Sequence, residues 1–80
     1  MIESGKQVKV TKIAETRENG YMPVGQEFTG VFVYATVGLG MWVAGDNGIR
    51  TSIVNEVLPI EPGMDIVRTM NSTYKVQEIR

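Results

Sequence analysis

Hydrophobic and polar residues alternate along short stretches of the chain, and glycine-rich turns separate these stretches. Near the start, Val8 and Val10 point one way while Lys9 and Thr11 point the other, which is the pattern of a half-buried strand. No stretch carries a sustained helical period or an internal repeat. The alternation predicts five or six strands, at residues 6–13, 27–37, 41–45, 49–54, 65–70 and 73–79. Short strands at roughly ten-residue spacing are typical of a small all-β barrel.

Segments between the strands are rich in turn-forming residues. Residues 14–26 contain Asn19-Gly20, Pro23 and Gly25, so they are predicted to form a long loop after the first strand. Residues 55–62 carry two prolines and are predicted to include a single helical turn. The Asn47-Gly48 pair predicts a tight hairpin with positive φ at both residues, a conformation that a β-branched residue at position 48 would resist.

Apolar residues occupy both faces of the longest predicted strand, residues 27–37. The two faces are Phe28, Gly30, Phe32 and Tyr34 on one side, and Val31, Val33, Ala35 and Val37 on the other. On the next strand Met41 and Val43 share one face, which places Trp42 opposite them. Either Trp42 packs inward, or it forms an aromatic row with Phe32 and Tyr34 that a partner subunit or a stacked base covers.

The composition fits one small domain spanning residues 1–80, with a mass of 8.9 kDa. Burial of apolar surface contributes on the order of 115 kcal/mol, and ordering the chain costs on the order of 120 kcal/mol. Because these terms nearly cancel, a homo-oligomer is expected. The chain has no cysteine and no histidine, which excludes disulfides, ordinary zinc sites and Ser-His or Cys-His catalysis.

The charge and the hydropathy of the chain limit the classes of binding partner that we expect. The formal net charge is -1, so no basic excess favours duplex nucleic acid. The longest stretch without charge, residues 28–45, holds four glycines and is too polar to span a membrane. We therefore expect a non-enzymatic protein of the cytoplasm, without cofactor, metal, membrane or duplex partner. The nine carboxylates show no paired motif of a general acid and base.

The densest group of ligand-binding side chains lies near the end of the chain: Arg68, Thr69, Asn71, Ser72 and Tyr74. Arginine forks to phosphate, asparagine pairs with a purine edge, and tyrosine stacks on a base. Alternatively, these residues form a hairpin turn whose polar groups bond to their own backbone while the tyrosine packs on the barrel.

A second group lies on the fourth predicted strand. Alternation turns Ile49, Thr51 and Ile53 inward, and it turns Arg50 and Ser52 outward. Arg50 is either an ordinary surface charge or a second phosphate contact, with Trp42 as a further stacking residue.

The long first loop, the strand pair containing a tryptophan and the turn before the last strand resemble an SH3-like barrel. Thr51-Ser52-x-Val54 followed by Thr69-x-Asn71-Ser72-x-Tyr74 resembles the ending of a group of small phage proteins. Some small phage proteins sequester the cyclic dinucleotide signals of bacterial anti-phage immunity, notably of the CBASS type. This resemblance, which covers about the last 35 residues, implies an anti-CBASS nucleotide sponge in the cytoplasm of the host cell.

Three functions follow from these observations. The first is sequestration of a cyclic dinucleotide by a homo-oligomer. The second is a protein-binding SH3-like module that inhibits a host enzyme through Phe32, Tyr34 and Trp42. The third is single-strand nucleic-acid binding on the same aromatic residues, which the acidic pI of about 5.3 disfavours.

Overall fold

Six antiparallel strands close into a barrel in the computed structural model, which describes residues 1–15 and 23–79. The strands are β1 (Gln7–Glu15), β2 (Glu27–Ala35), β3 (Gly40–Ala44), β4 (Ile49–Glu61), β5 (Met64–Thr69) and β6 (Ser72–Glu78). Each strand pairs with the next one, and β6 pairs back onto β1. The predicted all-β, SH3-like barrel is therefore confirmed. Most of the predicted loop 14–26 lies outside the described residues, and β1 continues to Glu15 before it.

The core is made by the inward half of each alternating strand. Val8 and Val10 of β1 and Val76 of β6 are completely buried, as the alternation predicts. The buried hydrophobic residues are Ile2, Val8, Val10, Phe28, Phe32, Ala35, Met41, Val43, Ile49, Val54, Val67, Tyr74 and Val76. Two charged residues, Lys12 and Asp65, are buried as well.

A bulge in β2 changes which aromatic residues face outward. The pairing of β2 with β3 shifts by one residue between Phe32 and Tyr34, so Ala35 takes the next inward position instead of Tyr34. The predicted row of Phe32, Tyr34 and Trp42 is therefore wrong at Phe32, which lies in the core. Tyr34 and Trp42 remain directly opposite each other.

β4 is longer than predicted and contains a second shift of register. The predicted helical turn in residues 55–62 is wrong, because β4 runs to Glu61 and pairs with β5 from Val54 onward. Pro59 fits because the described pairing gives this half of β4 a partner on one side only. An irregularity opposite Gly40 and Trp42 also turns Ile53 outward, at 47% exposure, and puts Val54 in the core.

The turn between β3 and β4 is present, but its backbone differs from the prediction. Neither Asn47 nor Gly48 has positive φ; that conformation falls on Gly45, at 134°. The Gly48 N–H donates to the Gly45 carbonyl oxygen over 3.1 Å. Glycine is required at position 48 for space, because a Cβ there would overlap the Val43 carbonyl oxygen.

The surface area of 4826 Å² agrees with the roughly 4,800 Å² expected of a compact monomer of this mass. The barrel thus completes its core within one chain. Formation of the core does not require a second chain, so the expected oligomer remains a prediction.

We predict that Gly48→Ala lowers the free energy of unfolding by about 1–3 kcal/mol, because its methyl group collides with the backbone of β3. Urea unfolding measures the change. Asn47→Ala is the control: it removes only the exposed Nδ2 contact to Thr29 and should cost less than about 1 kcal/mol. Equal losses in the two variants would contradict the steric explanation.

Candidate functional site

The outer face of β2, β3 and β4 carries a row of three large side chains. Strand pairing sets Trp42 between Tyr34 and Arg50. The Tyr34 and Trp42 rings meet edge to face, with centroids 6.1 Å apart and planes at 73°. The Arg50 guanidinium carbon lies 4.1 Å from the centroid of the Trp42 ring. We call Tyr34, Trp42 and Arg50 the aromatic–arginine row.

Arg50 has no carboxylate partner among the described residues, and no hydrogen bond of its guanidinium group is present there. Its position is fixed by stacking on the indole, a cation–π contact that leaves the N–H donors at the edge of the guanidinium plane. An exposed arginine held in this way offers a fork of donors to an anion.

Arg68 is in a different electrostatic situation. Its Nη1 lies 3.4 Å from Oε1 of Glu56, and its side chain is 59% exposed. The two residues face each other across β4 and β5. They border an open pocket of about 500 Å³ whose other lining residues are Asn55, Thr69 and Thr73. An anion in this pocket would have to compete with the Glu56 carboxylate for Arg68.

The Thr69 side chain of the predicted site 68–74 bonds to the hairpin itself. Its hydroxyl donates to the Ser72 carbonyl oxygen over 3.0 Å and accepts the N–H groups of Ser72 and Asn71. Thr69 and Ser72 are buried. The Oδ1 atom of Asn71 is closed to solvent and has no hydrogen-bond partner among the described residues. These contacts are those of the alternative interpretation, in which the segment forms a hairpin turn.

Tyr74 is 6% exposed and belongs to the core cluster. It pairs with Val67 on β5 and Lys12 on β1, and inward-facing residues alternate along β6 on either side of it. A base stacks on a ring only where a face of that ring is open. In this structure Tyr74 fills the barrel and offers no such face.

The structure separates the predicted site residues into two groups. Trp42 on β3 pairs with Arg50 on β4, and half-buried Ser52 lies two residues further along β4, within the shift of register. Arg68 lies opposite Glu56, six residues beyond Arg50 along β4, which corresponds to about 20 Å of extended strand. Arg50 and Arg68 therefore lie at separate points along the wall of the barrel.

Exposed apolar residues extend from the aromatic–arginine row. Ile53 lies opposite Gly40, two positions from Trp42 on β3. Val37 and Leu39 lie just before β3 in the chain, and both are exposed. The Val54 N–H donates to the Leu39 carbonyl oxygen over 2.7 Å, which places Leu39 beside Ile53. We call Val37, Leu39 and Ile53 the apolar margin. The sequence analysis did not identify it because it counted Ile53 as inward.

Two further features limit the chemistry of the described residues. In residues 1–15 and 23–79, no cluster of three or more acidic side chains is placed to hold a metal ion. The same part of the chain contains no helix long and apolar enough to cross a membrane.

We predict that Tyr74→Ala lowers the free energy of unfolding by about 3–5 kcal/mol, because it leaves a cavity in the core. Urea unfolding followed by far-ultraviolet circular dichroism measures the loss. Tyr34→Ala is the matched control on the outer face, and loss of its edge-to-face contact should cost about 0.5–1.5 kcal/mol. A smaller loss for Tyr74→Ala than for Tyr34→Ala would contradict the assignment of the two rings.

Comparisons with known proteins give no further constraint on the site. No protein-family model matches the chain, and no significant match occurs among curated proteins or solved structures. The fold class is therefore established by the strand pairing, and the site must be judged on its geometry.

Proposed function

We propose that the protein is a non-enzymatic binding protein that sequesters a small nucleotide, with the aromatic–arginine row as its contact surface. The observation that carries this proposal is the guanidinium group of Arg50, whose carbon lies 4.1 Å from the Trp42 ring centroid and which has no carboxylate partner among the described residues. A cyclic dinucleotide of bacterial anti-phage immunity is the ligand that the resemblance of the C-terminal segment implies.

The phosphate contact is assigned to Arg50. Its planar fork matches two phosphate oxygens, and stacking on Trp42 reduces the side-chain entropy lost on binding. Arg68 is a weaker candidate because Glu56 lies beside it. The geometry thus ranks Arg50 above Arg68, the reverse of the order that the density of polar residues in the sequence favours.

The base contact is assigned to Trp42 and Tyr34. Both rings lie on the outer face and both are only partly buried. An aromatic ring contributes about 1–3 kcal/mol to a base that stacks on it. Trp42 therefore places a stacking surface directly beside the phosphate contact.

One chain supplies one such row, whereas a cyclic dinucleotide has two phosphates and two bases. Two copies related by a two-fold axis would present two rows to one ligand of matching symmetry. The apolar margin lies next to the row and would be buried between the copies.

A second candidate function uses the same face for a protein partner, such as a host enzyme that the barrel inhibits. The apolar margin beside Tyr34 and Trp42 favours it, because adjacent exposed apolar side chains mark protein contacts. Leu39→Glu would abolish inhibition of such an enzyme while leaving the barrel folded.

We predict that Arg50→Ala weakens nucleotide binding at least tenfold, since a hydrogen bond to a charged group contributes about 1.5–3 kcal/mol. Isothermal titration with a panel of cyclic dinucleotides, cyclic mononucleotides and linear nucleotides measures the affinity. Trp42 is the single tryptophan, so its fluorescence reports contact with the row independently.

Arg68→Ala is the matched control, because it removes the same charge from another exposed strand position. It should change the affinity less than threefold. A loss confined to Arg68→Ala would move the site to the β5–β6 hairpin. No binding of any nucleotide by the wild-type protein would overturn the sequestration function.

We also predict a homodimer or larger assembly in the presence of the ligand. Light scattering at micromolar protein concentration should give at least twice the 8.9 kDa of one chain. A mass of one chain at saturating ligand would exclude capture between two copies.

A further inference from the structure

A small open pocket lies beside β2, where the first residues of the chain pair with this strand; Tyr34 is among its lining residues, and Trp42 and Arg50 are not. Its volume is about 210 Å³. The segment is held by the Gly5 N–H, which donates to the Phe32 carbonyl oxygen over 2.8 Å, and Ile2 is buried in the core. The lining includes the apolar residues Met1, Ile2, Phe32 and Val57, together with Asp65 and Ser4.

Asp65 is the unusual member of this lining. It is 4% exposed, and its Oδ2 accepts the Ile2 backbone N–H over 2.9 Å. None of the ion pairs among the described residues includes Asp65. Lys12, the other buried charged residue, is paired with Glu15. A buried aspartate is usually compensated by a positive charge. Asp65 has the hydrogen bond from the Ile2 N–H but no cationic side chain as an ion-pair partner among the described residues.

We propose that this pocket binds an alkylammonium group whose positive charge is neutralised by Asp65. The pocket volume of about 210 Å³ is enough for an ammonium group and a short alkyl chain. The ammonium group would meet the Asp65 carboxylate, and the alkyl chain would lie against Ile2, Phe32 and Val57.

An ammonium group fits this site better than a guanidinium group. The Ile2 N–H already occupies Oδ2, so a forked guanidinium contact to both carboxylate oxygens would have to share that atom. An ammonium group is a compact charge that needs one oxygen. Ser4 and Thr36 also line the pocket, and a hydroxyl oxygen can accept a hydrogen bond from one of the remaining ammonium N–H groups.

The ammonium could belong to a free small amine or to a lysine side chain of another protein. Two probes separate these sources: n-butylammonium, and lysine blocked as its Nα-acetyl methylamide. Both carry the charge on a four-carbon stem, but the blocked lysine must also leave a peptide backbone at the mouth of the pocket. Butan-1-ol is the uncharged control of similar size.

The test is a titration of ¹⁵N-labelled full-length protein followed by amide chemical shifts. We expect saturable shifts at Ile2, Asp65 and Val57 with n-butylammonium, and at least tenfold weaker binding of butan-1-ol. Asp65→Asn should abolish the ammonium response. Arg50→Ala should leave it unchanged, which separates this pocket from the aromatic–arginine row.

Saturable shifts with n-butylammonium alone identify a free amine, and shifts with both ammonium probes identify a lysine side chain as an admissible ligand. Equal affinity for butan-1-ol and n-butylammonium, or no saturable shift with either ammonium probe, overturns the proposal. If Asp65→Asn does not fold, the wild-type comparison of the charged and uncharged probes decides the question.

Discussion

The small interior of the barrel is the constraint on which the rest of this structure depends. A closed sheet of six short strands accepts only the inward half of its side chains, and valine fills most of the fully buried positions. Every further large residue must find a place outside or at an end. Two of the shifts of register, the one in β2 and the one in β4 opposite β3, determine which residues of these strands face outward. Ala35 and Val54 go inward, and Tyr34 and Ile53 go outward.

The outward-facing side chains do not pack in the core, but their neighbours along each strand do and so fix their positions. Trp42 projects from β3 between Met41 and Val43, both of which are anchored inside the barrel. Arg50 projects from β4 directly beside Ile49, another core residue. The strands thus fix the relative position of an indole and a guanidinium group on the outer face, and neither group belongs to the core cluster.

Alternation along the sequence was enough to predict the barrel and most of its strands, because the period of two is a property of each strand by itself. The candidate site depended on pairing between strands, which the period does not contain. A two-residue turn centred on Asn47 and Gly48 would pair Trp42 with Ile53, whereas the observed register pairs Trp42 with Arg50. The polar density of residues 68–74 pointed to a ligand, yet Thr69 satisfies hairpin N–H groups with the same atoms that a ligand would need.

The closing of β6 onto β1 has a consequence for how the protein behaves in a crowded cell. Open sheets present unpaired N–H and C=O groups at their edges, and such edges recruit strands from other chains into aggregates. Closure of β6 onto β1 leaves no terminal strand, but the second half of β4 has a described partner on one side only. Pro59 lies in this half and has no backbone N–H to donate, which makes the partly open stretch a poorer template for a strand from another chain.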